Sequence, residues 1–128
     1  MKILGIGFDI VETKRITEAL EKFGDKFLNR IYTHNEIEYC RSMKFPALHF
    51  AARFAAKEAI SKAFGTGIGA MIGWKDMEIV KRSSGEPYVI LNGRAEEYAR
   101  KIHVTEVMVS LSHTENYGAA NALVAVRE

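Results

Sequence analysis

The sequence predicts an α+β fold in which a small antiparallel sheet packs against a long central helix and shorter helices. Three observations lead to this fold class. β-rich runs lie at both ends of the chain, an alanine- and phenylalanine-rich segment lies in the middle, and the 128 residues suffice for one domain. Hydrophobic residues make up 48% and charged residues 27% of the chain, as in ordinary globular proteins. We therefore expect a single domain over residues 1–128.

The first predicted element is a strand. The segment from Ile3 to Phe8 is apolar and contains two glycines, which predicts a mostly buried strand. This strand would present Asp9 at its C-terminal edge. A carboxylate in that position is either a site residue or a cap for the segment that begins at Ile10, and the sequence leaves both interpretations open.

Two short helices follow in the prediction. Thr13 can cap the first, which ends at Gly24. Thr33 and Glu36 match a capping box, which predicts the start of a second helix that Pro46 ends. The expected buried positions are Ile16, Leu20 and Phe23 in the first helix, and Ile37, Cys40 and Met43 on one face of the second.

The longest predicted helix runs from Ala47 to Phe64, and Gly65 is its expected C-cap. Turn residues 83–87 between two β-rich segments then predict a hairpin. The remaining expected elements are strands Met77–Lys81 and Tyr88–Leu91, a helix Arg94–Ile102, and strands Glu106–Ser112 and Gly118–Val126.

Charge and cysteine content exclude several classes of protein. Eighteen Lys and Arg residues against sixteen Asp and Glu residues give a net charge of +2, too small to predict a nucleic-acid or membrane partner. No apolar run reaches the roughly 18 residues of a membrane span. Cys40 is the single cysteine and cannot form an intrachain disulfide. A cytoplasmic location is the expectation.

The central helix carries a candidate site. Phe54, Glu58 and Lys62 form one i, i+4, i+8 ridge beside Ala51 and Ala55. A carboxylate on a face that otherwise suits the core needs a cation, a metal or hydrogen bonds. The alternative is a Glu-to-Lys i, i+4 ion pair on a solvated face, worth about 0.2–0.5 kcal/mol.

Together, Asp9 and Glu58 could hold one metal ion. Mg²⁺ accepts one or two protein carboxylates and completes its octahedron with water and phosphate oxygens, so this pair suits a pyrophosphate substrate. The segment from Gly65 to Ala70 matches neither a Rossmann nor a Walker motif. It either binds an anion beside Lys62 or only terminates the helix, and the sequence leaves both interpretations open. His113 could donate to a phosphate, or be a surface histidine. The sequence has no zinc-ligand spacing and no serine-hydrolase elbow.

Two motifs resemble those of the holo-acyl-carrier-protein synthase family of small 4′-phosphopantetheinyl transferases. They are GIGFDIVE, from Gly5 to Glu12, and RFAAKEAISKAFGTG, from Arg53 to Gly67. The resemblance extends to Ser110–Thr114 and the final strand. It implies a 4′-phosphopantetheinyl transferase fold, and an enzyme that uses Mg²⁺ to transfer phosphopantetheine from coenzyme A to a serine of apo acyl carrier protein, in fatty acid biosynthesis.

The same resemblance implies roles for particular residues. Asp9 and Glu58 would be metal ligands and, with Lys62, catalytic. The implied coenzyme A contacts are Arg53, Lys62, Gly65, Thr66, Gly67, His113 and Thr114. Members of the family are trimers with sites between subunits, which implies that Asp9 and His113 come from one chain and Glu58 from its neighbour.

The expected carrier-protein surface lies on the first helix, at Lys14, Arg15 and Lys22. Acyl carrier proteins are acidic, so their docking face should be locally basic. Glu18 and Glu21 on the same helix fit an ordinary amphipathic surface instead. A non-catalytic binder of coenzyme A or carrier protein is the competing class of function, which the presence of Asp9, Glu58 and Lys62 together disfavours.

Overall fold

The computed structural model describes all 128 residues, and it has the predicted α+β architecture. Strands β1, β5 and β4 form a three-stranded antiparallel sheet in that order, and β2 pairs with β3 in a separate antiparallel hairpin. The elements are β1 (Lys2–Glu12), α1 (Thr13–Phe23), α2 (Asp25–Ile31), α3 (His34–Arg41), α4 (Pro46–Phe64), a 3-10 turn (Trp74–Asp76), β2 (Met77–Lys81), β3 (Pro87–Leu91), α5 (Gly93–Lys101), β4 (Val104–His113) and β5 (Tyr117–Val126).

Helix α4 is the centre of the molecule. Its alanines are buried on several faces, and β1 lies so close to it that a Cβ at Gly5 or Gly7 would collide with the carbonyl oxygens of Ala63 and Ala59. Glycine is therefore required at both positions, because only a residue without a side chain permits this approach. The close packing brings Asp9, two residues after Gly7, against the C-terminal half of α4.

Strand β1 differs from its prediction in two respects. It continues to Glu12, so Asp9 pairs with Ala120 in the middle of the strand, and the helix-cap interpretation of Asp9 is wrong. The prediction of a mostly buried strand is also wrong, because Ile6, Phe8 and Ile10 are 71%, 57% and 53% exposed. Alternate residues point to opposite faces of a sheet, and here only the glycine face packs on α4.

The helix predictions are largely confirmed, except that Phe23, an expected buried position of the first helix, is 53% exposed. Glu12 rather than Thr13 occupies the N-cap of α1, and the buried Thr13 hydroxyl has no hydrogen-bond partner. Gly24 ends this helix, and the capping box of Thr33 and Glu36 is formed with both hydrogen bonds. Gly65 ends α4 in the left-handed conformation, at φ 84°. Helix α2 was not predicted. None of the helices combines the length and apolar character needed to span a membrane.

Candidate active site

Asp9 of β1 and Glu58 and Lys62 of α4 form one cluster. The Lys62 ammonium donates to Asp9 Oδ1 at 2.9 Å and to the carbonyl oxygen of Phe8 at 3.2 Å. The Asp9 side chain is 18% exposed and that of Lys62 is 49% exposed, so the cluster is open to solvent at the surface. Lys62 pairs with Asp9 and forms no ion pair with Glu58, and the interpretation of a plain i, i+4 pair is therefore wrong.

Glu58 has an unusual environment for a carboxylate. Burial raises its pKa, the negative charge of Asp9 raises it further, and Lys62 acts in the opposite direction. The influence of Asp9 indicates that the two carboxylates lie close together within one chain. A half-buried carboxyl group with a raised pKa, beside a second carboxylate and an ammonium, is typical of a catalytic site.

The donor set suits a hard divalent cation. Asp9 and Glu58 supply carboxylate oxygens, and no group of three His, Cys, Asp or Glu side chains converges anywhere in the chain. Zinc normally needs three or four protein ligands, whereas Mg²⁺ is commonly held by one or two carboxylates together with substrate phosphates and water. Burial is the main cause of the raised Glu58 pKa, and the repulsion from Asp9 that adds to it is the kind that a bound cation relieves.

The glycine segment after α4 terminates the helix. The backbone N–H groups of Gly65, Thr66 and Gly67 donate back to the carbonyl oxygens of Lys62 and Ser61, and are therefore not free to bind an anion. Positions 65 and 67 instead provide room, since a Cβ at either would have no heavy atom within 4 Å. Of the two interpretations of this segment, helix termination describes its backbone.

A second group of cationic side chains surrounds the middle of α4. Arg53 is 4% exposed, its guanidinium lies 4.3 Å from the ring centroid of Tyr39, and its Nε has no hydrogen-bond partner. A cavity of about 340 Å³ is lined by Arg53, His49, Lys81 and His113 with no carboxylate among its lining residues. The rings of His49 and His113 are 4.8 Å apart.

The electrostatics of this cavity favour an anion. Burial lowers the pKa of His49, and the charges of His113, Arg53 and Lys81 lower it further. An uncompensated set of positive groups around a cavity binds phosphate because it supplies charge-assisted donors without a competing acid. Thr114 follows His113 in the turn before β5, where its N–H donates to the carbonyl of Tyr117.

The structure thus divides the predicted site residues into two groups. Asp9 lies with Glu58 and Lys62, whereas His113 lies with Arg53, and Thr114 follows His113 at the edge of a neighbouring groove. His49, which contacts His113, precedes Glu58 by nine positions on α4, which corresponds to about 14 Å along the helix axis. The expectation that Asp9 accompanies His113 while Glu58 comes from a neighbouring chain is wrong, because β1 packs its glycine face onto the α4 of its own chain.

Sequence reasoning missed a second polar ridge on α4. Arg53, Lys57 and Ser61 are all buried, and Lys57 donates to Glu36 at 2.6 Å, to the Ile31 carbonyl at 2.8 Å and to the Trp74 carbonyl at 3.1 Å. Burial lowers the pKa of Lys57, and Glu36 opposes that effect. The signal was available, since these residues repeat at i, i+4 and i+8 in an alanine-rich helix, as Phe54, Glu58 and Lys62 do.

The fold and the carboxylate–lysine cluster define a small α+β protein equipped for phosphate chemistry. Comparison with known proteins agrees. The sequence model of the 4′-phosphopantetheinyl transferase superfamily matches residues 5–122. Holo-[acyl-carrier-protein] synthase from Koribacter versatilis is 44% identical over 122 residues, which is 95% of this chain and 98% of that protein.

Solved structures give the same result. The crystal structure of holo-[acyl-carrier-protein] synthase from Neisseria meningitidis superposes with a TM-score of 0.90 at 33% identity, over 96% of this chain and 98% of that one. The holo-(acyl-carrier-protein) synthase from Bacillus anthracis, solved in complex with CoA (3′,5′-ADP), superposes with a TM-score of 0.81 at 36% identity, over 99% and 100%. This chain belongs to the 4′-phosphopantetheinyl transferase superfamily of enzymes.

Proposed function

We propose that this protein is a holo-[acyl-carrier-protein] synthase, in which residues 1–128 act as a single catalytic domain. It transfers the 4′-phosphopantetheine group of coenzyme A to a serine of apo acyl carrier protein and releases adenosine 3′,5′-bisphosphate. The observation that carries the proposal is the cluster of Asp9, Glu58 and Lys62, with the Lys62 ammonium 2.9 Å from Asp9 and the pKa of Glu58 raised. The names of the relatives support the choice of substrates.

Each residue of the cluster has a role in the transfer. The serine hydroxyl oxygen attacks the β-phosphorus, which bears the pantetheine arm, and the bond from this phosphorus to the bridging oxygen breaks. Glu58 accepts the proton that the hydroxyl loses, as a general base. Lys62 balances the charge that develops on the departing bisphosphate.

Asp9 and Glu58 would hold Mg²⁺. When bound, the ion would neutralise the charge of the pyrophosphate, and the protein orients the reacting groups. Asp9 contributes in a further way, because its hydrogen bond fixes the otherwise flexible ammonium of Lys62 beside Glu58. Gly65 and Gly67 leave the end of α4 open for the substrate next to Lys62.

The cationic cavity would hold another phosphate of coenzyme A. Arg53 and His113 were expected to contact coenzyme A, and both line the carboxylate-free cavity. His49 and Lys81 lie in the same cavity and add donors. Thr114 stands beside His113 at the edge of a groove that also contains Lys44 and has a volume of about 790 Å³.

A homotrimer accounts for two features that a single chain leaves unexplained. The outer face of the sheet exposes apolar side chains from two strands, namely Ile6, Phe8 and Ile10 of β1 and Met108 of β4. Contiguous apolar patches of this kind mark protein–protein interfaces. In one chain His113 also lies away from the cluster, because its neighbour His49 is about 14 Å from Glu58 along α4. We propose that the sheet face joins copies of this chain, and that Arg53, His113 and Thr114 of one copy serve the Asp9–Glu58–Lys62 cluster of the next.

Mixing two inactive variants tests the shared site. Chains with Glu58→Gln and chains with His113→Ala, refolded together, should transfer faster than the mean of the two separate samples, because some interfaces then contain both native residues. Light scattering should give three times the chain mass. A mixed sample that only averages its components would show that each chain has a self-sufficient site.

The carrier protein would dock on α1, where Lys14, Arg15 and Lys22 are exposed. We expect Arg15→Glu to raise the KM for carrier protein about tenfold and leave the KM for coenzyme A unchanged, since the reversed charge repels only the acidic partner. Steady-state kinetics with each substrate varied in turn measures both values. Lys101→Glu on α5 is the matched control, and an equal rise of both KM values in Arg15→Glu would contradict docking on α1.

The proposed setting is fatty acid biosynthesis in the cytoplasm, with no nucleic-acid or membrane partner. One experiment tests the reaction itself. The protein is incubated with apo acyl carrier protein, coenzyme A and Mg²⁺, and the carrier protein is weighed by mass spectrometry. We expect the mass of one phosphopantetheine arm to be added, and no addition after treatment with a chelator until Mg²⁺ is restored. An unmodified carrier protein in the complete mixture would overturn the proposal.

A further inference from the structure

Arg94 of α5 binds the loop that follows the active-site helix, although neither the sequence motifs nor the site described above include it. Its Nη1 donates to the carbonyl oxygen of Ala70 at 2.9 Å, and its Nε lies 3.5 Å from Asp76 Oδ2. The same Asp76 oxygen accepts from the backbone N–H of Gly73 at 2.8 Å. Arg94 and Asp76 therefore hold the loop at two places, the Ala70 carbonyl and the Gly73 amide.

The backbone around this contact is shaped to admit the two side chains. A Cβ at Gly73 would lie 2.5 Å from Arg94 Nη2 and 3.2 Å from Asp76 Oδ2. A Cβ at Gly93 would lie 3.0 Å from Asp76 Oδ1, and this residue has a φ of 53°, which favours glycine. A side chain at position 73 or 93 would therefore come too close to the Arg94–Asp76 pair, and both positions are glycine.

The loop in question, residues 66–73, is held differently at its two ends. At its start, the N–H groups of Thr66 and Gly67 donate to Ser61 in the last turn of α4. Just beyond its end, Trp74 is fixed by the Lys57 ammonium and by its ring, which lies 4.9 Å from that of Phe54. Between these anchors the loop has one internal backbone hydrogen bond, from Gly69 to Ile72, the buried side chain of Ile72, and the Arg94 contact at Ala70.

We infer that Arg94 is a positioning residue for the transfer reaction, because it holds loop 66–73 in the shape that keeps the space beside Lys62 and Gly65 open to coenzyme A. This inference rests on the proposed function. A Cβ added at Gly67 or Gly69 would meet no heavy atom within 4 Å, so residues 67–71 could move into that space once the Arg94 contact is lost. The planar guanidinium suits the task, since one side chain donates to a carbonyl and forms an ion pair with a carboxylate at the same time.

The test compares Arg94→Ala with Arg100→Ala. Arg100 lies on the same helix and is also exposed, but its partner is Glu96, at 3.8 Å, and it does not contact the loop. We expect Arg94→Ala to raise the KM for coenzyme A about fivefold, as the loss of one solvent-exposed hydrogen bond would. The kcat and the KM for carrier protein should stay within twofold of the native values, because the catalytic cluster is untouched.

Gly73→Ala disrupts the same contact of Arg94 by a different change. Its methyl group displaces the Arg94 guanidinium without removing the charge, so it should also raise the KM for coenzyme A. In a double-mutant cycle the effects of Gly73→Ala and Arg94→Ala should not add, because both act through one contact. A purely structural role would lower the melting temperature without separating the KM for coenzyme A from kcat.

The results distinguish this inference from the proposed function. If native protein transfers phosphopantetheine but Arg94→Ala behaves as Arg100→Ala does, the positioning role is wrong and the proposed function stands. Additive effects in the double-mutant cycle would also overturn the positioning role. If native protein transfers nothing, the proposed function itself fails.

Discussion

The Glu58→Gln variant should lose about 10²–10⁴-fold in kcat, the range expected when a general base is removed. Glutamine keeps the size and the polar character of the side chain but accepts no proton from the carrier serine at neutral pH. It also removes one of the two carboxylates that would hold Mg²⁺, so the loss should lie toward the upper end of that range. Rates of phosphopantetheine transfer at saturating substrates measure the effect.

The same substitution should leave the fold as stable as before, or more stable. Burial and Asp9 raise the pKa of Glu58 in the folded chain above its unfolded value. The folded state therefore binds this proton more tightly. The contribution of Glu58 to stability consequently falls as the pH rises through the unfolded pKa, and levels off above the folded one. At neutral pH the ionised carboxylate lowers the stability of the folded state, and glutamine removes this penalty. Residues retained for function are commonly destabilising in this way.

Thermal unfolding and kinetics on one sample separate these two effects. Glu97→Gln, on the exposed face of α5, makes the same chemical change away from the cluster, and should alter neither transfer nor melting temperature. A Glu58→Gln protein that transfers at the native rate would remove Glu58 from the mechanism. A variant that is inactive because it unfolds would show that Glu58 is needed for folding rather than for catalysis.

The proposed catalytic cluster was partly predictable, because part of its geometry is local. Helical spacing alone placed Glu58 and Lys62 on one ridge of α4. The partner of Lys62 was not predictable in this way, since its contact with Asp9 spans 53 positions and depends on β1 packing closely on α4. The two glycines that permit this packing were visible in the sequence. Such glycines indicate that another backbone approaches the strand closely, but they do not show which element of the fold it belongs to.

Strand β1 shows why burial is harder to predict than secondary structure. Its apolar residues predicted a strand correctly, yet Ile6 and Phe8 face away from the core. Apolar character specifies contact with something other than water, which is either the core of the same chain or the surface of another. Helix α2 was missed for a different reason. It has seven residues and begins directly after Gly24, the residue that ends α1, so the sequence gives no separate start signal.

The second large expected effect is a loss of stability when the buried Lys57, next to Glu58 in sequence, is replaced. Its ammonium is fully buried and uses all three donors, one of them in the ion pair with Glu36. Glu36 accepts in addition from the backbone N–H groups of Thr33 and Ile79. This one pair therefore connects α2, α3, α4, the 3-10 turn and β2. No other interaction in the chain joins so many elements through charged groups.

Lys57→Met should lower the free energy of unfolding by about 3–5 kcal/mol, because it leaves the Glu36 carboxylate buried and without its cation. Methionine matches the length of the lysine stem, so loss of packing contributes little. Glu36→Gln combined with Lys57→Met removes both charges, and should cost less than Lys57→Met alone, since glutamine still accepts a hydrogen bond from a backbone amide. Urea unfolding of both single variants and the double variant gives the coupling energy.

The coupling energy between the two substitutions shows whether the ion pair or the other hydrogen bonds of Lys57 stabilise the fold. If the ion pair is the element that holds the five segments together, the double variant recovers stability relative to Lys57→Met. If the single and double variants are equally unstable, the Lys57 hydrogen bonds to the Ile31 and Trp74 carbonyls dominate instead. In either case transfer by the folded fraction should persist, because Lys57 points away from the cluster of Asp9, Glu58 and Lys62. Loss of transfer in a fully folded Lys57→Met protein would show that this lysine also sets the position of Glu58.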